Sequence, residues 1–170
     1  GDVGRALHRR NHDDSQAARR DLVRTLFAAI EGVSWMFKEH VADALRQMDS
    51  LSPEEEIALS EGFHFVNGDG KIITQRRHLS TPATIKLAAR LAKRPDPNLE
   101  IDLGSEGWSK LGDAISVRNR ITHPKRSEDM SLGDDEVSSC LVAFYWLLEI
   151  ATDAMEASIG AMRVHTRVAR

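Results

Sequence analysis

An all-α fold, an up-and-down bundle of four to five helices, is predicted by this 170-residue sequence from three observations. Apolar residues recur at spacings of three and four over most of the chain, the signature of helices with one buried face. Helix-start signals, Ser52-Pro53-Glu54-Glu55, Thr81-Pro82 and Ser105, divide the chain at intervals suited to helices. One stretch, around 63–80, departs from the helical period and reads as a small hairpin-like insertion.

Residues 1–13 carry little apolar content and are expected to form a flexible N-terminal arm, leaving 14–170 as a single helical domain. From Asp14 to about Asp49 the positions Val23, Leu26, Phe27, Ile30, Val33, Phe37, Val41, Ala44 and Met48 trace one long amphipathic helix. Ser52 then supplies an N-cap, Pro53 the first helical position and Glu55 a capping-box carboxylate, so a short helix should run to about Glu61. Phe63-His64-Phe65-Val66 and Ile72-Ile73-Thr74 flank Asn67-Gly68-Asp69-Gly70, a β-hairpin or an irregular excursion. A two-stranded ribbon is marginal alone, so it should lie against helices.

Thr81-Pro82 opens the next helix, with Ile85, Leu87 and Leu91 before the Pro95-Asp96-Pro97 break. Ser105 caps a further helix carrying Trp108, Leu111 and Ile115. It ends at Pro124, because the residue before a proline is disfavoured in helical conformation. A last long helix from about Gly133 to Arg163 should turn Val137, Leu141, Phe144, Leu148, Ala151 and Met155 inward.

Composition narrows the function classes. A net charge of −3 argues against wholesale coating of nucleic acid, yet basic residues cluster locally, as in Arg19-Arg20, Arg76-Arg77-His78 and Arg118 to Arg126. The acidic blocks Glu54–Glu56 and Asp134–Glu136 sit at helix starts, where they complement the helix dipole. One cysteine, Cys140, leaves no internal disulfide and no cysteine-based metal cage. No run nears the roughly 18 consecutive apolar residues of a membrane span, and residues 1–20 lack the apolar core of a signal peptide. The expectation is a cytoplasmic protein with neither metal nor other cofactor.

The run Arg118-Asn119-Arg120-Ile121-Thr122-His123-Pro124 concentrates chemistry at one helix end. Asn119 and His123 are four apart and share a face, with Arg118 beside it. A permanently cationic arginine and a histidine that titrates near neutrality suit phosphodiester chemistry: His123 to move a proton, Arg118 to hold developing phosphoryl charge, Asn119 to orient. Arg120, Lys125 and Arg126 flank the run and are candidates for substrate contact. The same residue types also suit a plain helix C-terminus, where Arg and His bond the last carbonyls.

This run resembles the Arg-x4-6-His signature of HEPN domains (higher eukaryotes and prokaryotes nucleotide-binding). In that family a polar residue, often asparagine, follows the arginine, as Asn119 does. The signature lies late in the chain with one further helix behind it, as here. The resemblance spans the helical framework from Asp14 to Met162, although its sequence specificity resides in the one motif. It implies a metal-independent endoribonuclease, acting as a homodimer with two motifs in one cleft, on RNA. His123 would assist attack by the 2′-hydroxyl to leave a cyclic phosphate, and Arg118 would stabilise the transition state. Such domains serve as toxins, as anti-phage effectors and in RNA processing, so an antitoxin or other regulatory protein is an implied partner. The alternative is a non-catalytic module of this type that binds nucleotides or a protein. Two departures stand out. Pro124-Lys125 replaces the tyrosine that one subfamily carries two residues after its histidine, and the 63–80 insertion is foreign to the minimal bundle.

The family sometimes adds a supporting side chain from the first long helix, and Glu31 and Lys38 are both candidates. Lys86, Arg90, Lys93 and Arg94 form a basic stripe, read as a solvated face or an RNA track. His8 and His12 have helical metal-ligand spacing but no third ligand nearby. Trp35, Tyr145 and Trp146 belong to the core or to a dimer interface, and Cys140 to packing. Aromatic residues make up only 5% and do not alternate with basic ones, which argues against a single-strand stacking platform.

Overall fold

A computed structural model describes residues 1–60 and 62–168, so Glu61, the expected end of the second helix, lies outside the described residues. The elements run α1 (Asp2–His12), α2 (Gln16–Gln47), α3 (Pro53–Leu59), β1 (Gly62–Val66), β2 (Ile72–Arg76), α4 (Thr81–Ala92), α5 (Glu106–Thr122), a 3-10 turn (Ser127–Met130) and α6 (Asp134–Val168). The fold is thus largely all-α, and its one sheet among the described residues is a two-stranded hairpin.

The chain gathers into two compact units. One comprises Gly1–Val33 and Glu100–Thr152; the other comprises Ser34–Leu99 and the chain from Asp153 onward. In the first unit, the stretch expected as a flexible arm forms α1. Its helix buries Ala6 and is anchored by ion pairs from Arg9 to Asp21 (2.7 Å) and from Arg10 to Asp134 (3.3 Å). Those partners are remote in sequence, so low apolar content concealed the anchorage.

Along α2 the expected stripe is buried at Val23, Leu26, Phe27, Ile30, Phe37, Val41 and Ala44, joined by Leu22 and Leu45. The inner face of α6 agrees with the expectation at Val137, Phe144 and Ala151 and departs from it at Leu148. Cys140, Ala143, Phe144, Leu147, Ile150, Ala151 and Ala154 are buried, whereas Leu148 is 41% exposed. A helix apolar on more than one face leaves its phase ambiguous, and α6 is such a helix. It is also long and apolar enough to cross a membrane, but half of its most apolar window is buried in the protein, as in any core helix.

Local signals are realised at the caps. Ser52 accepts from the Glu55 amide (3.3 Å) while Glu55 accepts from the Ser52 amide (3.0 Å), completing the capping box. Ser80 and Ser105 cap α4 and α5 through their hydroxyls. In the second unit, β1 and β2 pair antiparallel with Phe63 opposite Gln75 and Phe65 opposite Ile73. The Asn67 side-chain oxygen accepts from the amides of Asp69 (3.0 Å) and Lys71 (2.9 Å). Of the two turn glycines only Gly70 uses positive φ, at +74°.

Candidate active site at the end of α5

The motif occupies the last turn of α5 because Val117 and Ile121, four apart, are both buried and fix the helix phase. That phase leaves Asn119 and His123 exposed and Arg118 half-buried. Arg118 is held on three sides. Its guanidinium lies 5.2 Å from the centre of the buried Phe27 ring, donates to Asn119 Oδ1 (3.2 Å), and meets Glu31 Oε1 at 3.4 Å. A guanidinium has five N–H donors, so these two contacts leave others facing outward. Of the two α2 candidates, Glu31 is the one that meets Arg118. Lys38 lies in the other compact unit, 2% exposed, with its ammonium on Glu39 (3.0 Å) and the Leu59 carbonyl (3.4 Å). Phe27 as a platform was not anticipated; its place on the apolar stripe gave no hint that its ring would face a cation.

The cap is made without the His123 ring. The backbone N–H of His123 donates to the Asn119 carbonyl (3.0 Å), and the Thr122 hydroxyl donates to the Arg118 carbonyl (2.7 Å). The imidazole itself is exposed and has no hydrogen bond or ion pair with the described residues. The ring therefore does not bond the last carbonyls of α5, as the plain helix-end alternative requires.

No protein-family model, curated protein or solved structure matches the chain.

The residues expected to contact substrate separate into two kinds. Arg120 turns inward and serves the loop: it donates to the carbonyls of Asp129 (3.0 Å) and Ser131 (2.9 Å) and pairs with Glu136. Lys125 and Arg126 are exposed, and their backbone amides are gathered by Asp129 Oδ2 at 2.8 and 3.0 Å. The loop after His123 is further pinned from α2. Gln16 exchanges two hydrogen bonds with Leu132, Arg19 reaches the Leu132 carbonyl (2.9 Å), and Arg20 reaches that of Met130 (2.9 Å). Arg19 and Arg20, one of the basic clusters noted in sequence, are thus employed internally.

Other candidates resolve plainly. Arg94 of the α4 stripe pairs with Glu55, and Arg90 approaches the same carboxylate at 3.9 Å. His12 Nδ1 donates to the His8 carbonyl (2.8 Å), and no cluster of three or more His, Cys, Asp or Glu gathers among the described residues. Burial pushes the Cys140 thiol up to about 12, so it packs and does not act as a nucleophile.

Proposed function

We propose that this protein is a metal-independent endoribonuclease of HEPN type, with Arg118 and His123 as catalytic residues and Asn119 orienting them. The observation that carries this reading is the exposed His123 imidazole, which has no partner among the described residues and bonds none of the carbonyls at the helix end beside Arg118. Arg118, fixed by Phe27, Glu31 and Asn119, supplies a pre-positioned cation of the kind that stabilises a phosphoryl transition state. Lys125 and Arg126 offer backbone-phosphate contacts, whereas Arg120 is turned to the loop, with three contacts to Asp129, Ser131 and Glu136. The chain then adopts the four-to-five-helix bundle of that family and works as a homodimer. Val142, Tyr145 and Leu148, exposed on one face of α6, are the surface that would join two copies. A toxin or anti-phage role, with an antitoxin as partner, belongs to the same proposal.

A second reading is a non-catalytic nucleotide- or protein-binding module. It is favoured by Glu31, whose carboxylate offsets part of the Arg118 charge. The two readings part on one experiment. Labelled RNA incubated with the protein in EDTA should be cut to products bearing a 2′,3′-cyclic phosphate. His123→Ala and Arg118→Ala should each slow cleavage by roughly a hundredfold or more. Absence of cleavage of any RNA, or cleavage unchanged in both variants, rejects the enzyme.

A further inference from the structure

The β1–β2 hairpin brings an aromatic strand beside the Arg76-Arg77 pair at the end of β2, which linear order conceals. Alternation places Phe63 and Phe65 on the same face of β1, at 42% and 39% exposure, with ring centres 5.4 Å apart and planes 24° from parallel. Antiparallel pairing brings the Arg76-Arg77 pair back beside the start of β1; Arg76, directly opposite Gly62, belongs to the ribbon face away from Phe63 and Phe65, yet lines with Arg77 and Phe63 the groove at that end. In sequence, residues 61–80 carry the cations Lys71, Arg76 and Arg77 and two acidic residues, Glu61 and Asp69, whereas the whole chain is net negative. The charged side-chain ends of these three residues have no ion pair or hydrogen bond among the described residues. Elsewhere in the same unit Arg46 and Arg94 are both paired with α3 carboxylates. Between α3 and the hairpin lies a groove of about 610 Å³, lined among the described residues by the apolar Ile57, Phe63 and Leu79, by Arg76 and Arg77, and by the carboxylate of Glu54.

We infer that the hairpin and this groove bind single-stranded RNA, its bases stacked on Phe63 and Phe65 and its phosphates held by Arg76, Arg77 and Lys71. Exposed aromatic rings give sequence-tolerant stacking, and arginines with no carboxylate partner among the described residues supply backbone charge; nucleic acid rewards that combination and an apolar protein surface does not. The groove is of a size to take a base with its sugar. A paired base keeps its faces inside the duplex, so the occupant is single-stranded. The choice of RNA over DNA rests on the ribonuclease reading; the stacking and the charge do not.

Binding is best measured by fluorescence anisotropy with labelled oligouridine, on full-length His123→Ala protein so that cleavage cannot intervene. Phe63→Ala and Phe63→Leu should each weaken binding by roughly tenfold, in keeping with about 1–3 kcal/mol for one stacked base. Arg76→Ala with Arg77→Ala should weaken it further and lower the slope of log affinity against log salt by about 1.4. Duplex RNA should compete poorly. Thermal melts of each variant separate binding loss from unfolding. Retention of affinity in Phe63→Leu, or an unchanged salt slope in the arginine variant, overturns the inference. So does oligo-deoxyuridine binding without RNA binding, or Phe63→Ala altering only the oligomeric state in sedimentation, which assigns the surface to a protein partner. Because binding and cleavage are read separately, failure of one leaves the other standing.

Discussion

Gly107 lies in the first turn of α5, where its missing side chain is occupied by an indole. A Cβ at this position would stand 2.1 Å from Trp146 Cγ, and Trp146 meets Trp108 edge-on with ring centres 5.9 Å apart. In an open helix, Gly→Ala gains about 1 kcal/mol, whereas forcing a methyl into a filled site costs about 1–3 kcal/mol. The clash here is with the root of a large, half-buried ring, so the second effect dominates. Gly107→Ala is expected to lower stability by about 1 kcal/mol or more, read as a reduced midpoint in urea; a raised midpoint would show that the indole moves aside. The same scale decides the site. Glu31 and Lys38 are seven apart on α2, hence on one face but about two turns distant, roughly 10 Å along the axis. Nothing in the local pattern chooses between them. The choice depends on where Arg118, 87 residues later, comes to rest.

Helix α6 shows what an element's own pattern leaves open. Its apolar residues satisfy two neighbouring phases, one with Leu148 inward and one with Leu147 inward, and packing selects the second. Leu147→Ala should then cost about 2–5 kcal/mol, as for a fully buried leucine, while Leu148→Ala should fall within about 1 kcal/mol of the parent. Comparable losses in paired denaturation curves would restore the other phase. If α6 supplies a dimer face, Leu148→Ala should instead weaken self-association in sedimentation. The hairpin carries the opposite lesson. Turn chemistry at Asn67–Gly70 was legible because it is local, but it left a hairpin and an irregular excursion both open, and the strand register came only with the folded chain. The sharing of one groove by Phe63, Arg76 and Arg77 was not legible, because only pairing brings residues so separated together.

For the molecule as a whole, charge is arranged so that acid should destabilise it. Arg94 holds the Glu55 carboxyl below its ordinary range, Arg46 does the same for Glu56, and Arg19 for Asp14. Each group is more acidic folded than unfolded, so the unfolded chain binds more protons as pH falls. The stabilisation is present above the unfolded value, about 4 to 4.5, and is lost as pH drops through the folded one. Denaturation midpoints should be level near neutrality and decline below about pH 4.5, and the Glu55→Gln, Glu56→Gln double variant should show a shallower decline. An equal decline in that variant would place the sensitive groups elsewhere.

Helix content, caps, the hairpin turn and the linear motif Arg118–His123 could all be read from residue order, since each depends on neighbours within about four positions or on fixed backbone geometry. Three other matters needed the folded chain. It pairs Arg118 with Glu31 and Phe27, engages Arg120 with the loop and Glu136, and draws residues 2–12 into a helix anchored at Asp21 and Asp134. These contacts span up to 124 residues and exist only because loops return the chain on itself. Local periodicity carries no record of where a distant segment returns, so it identified the cation and the histidine but not what holds one and leaves the other exposed.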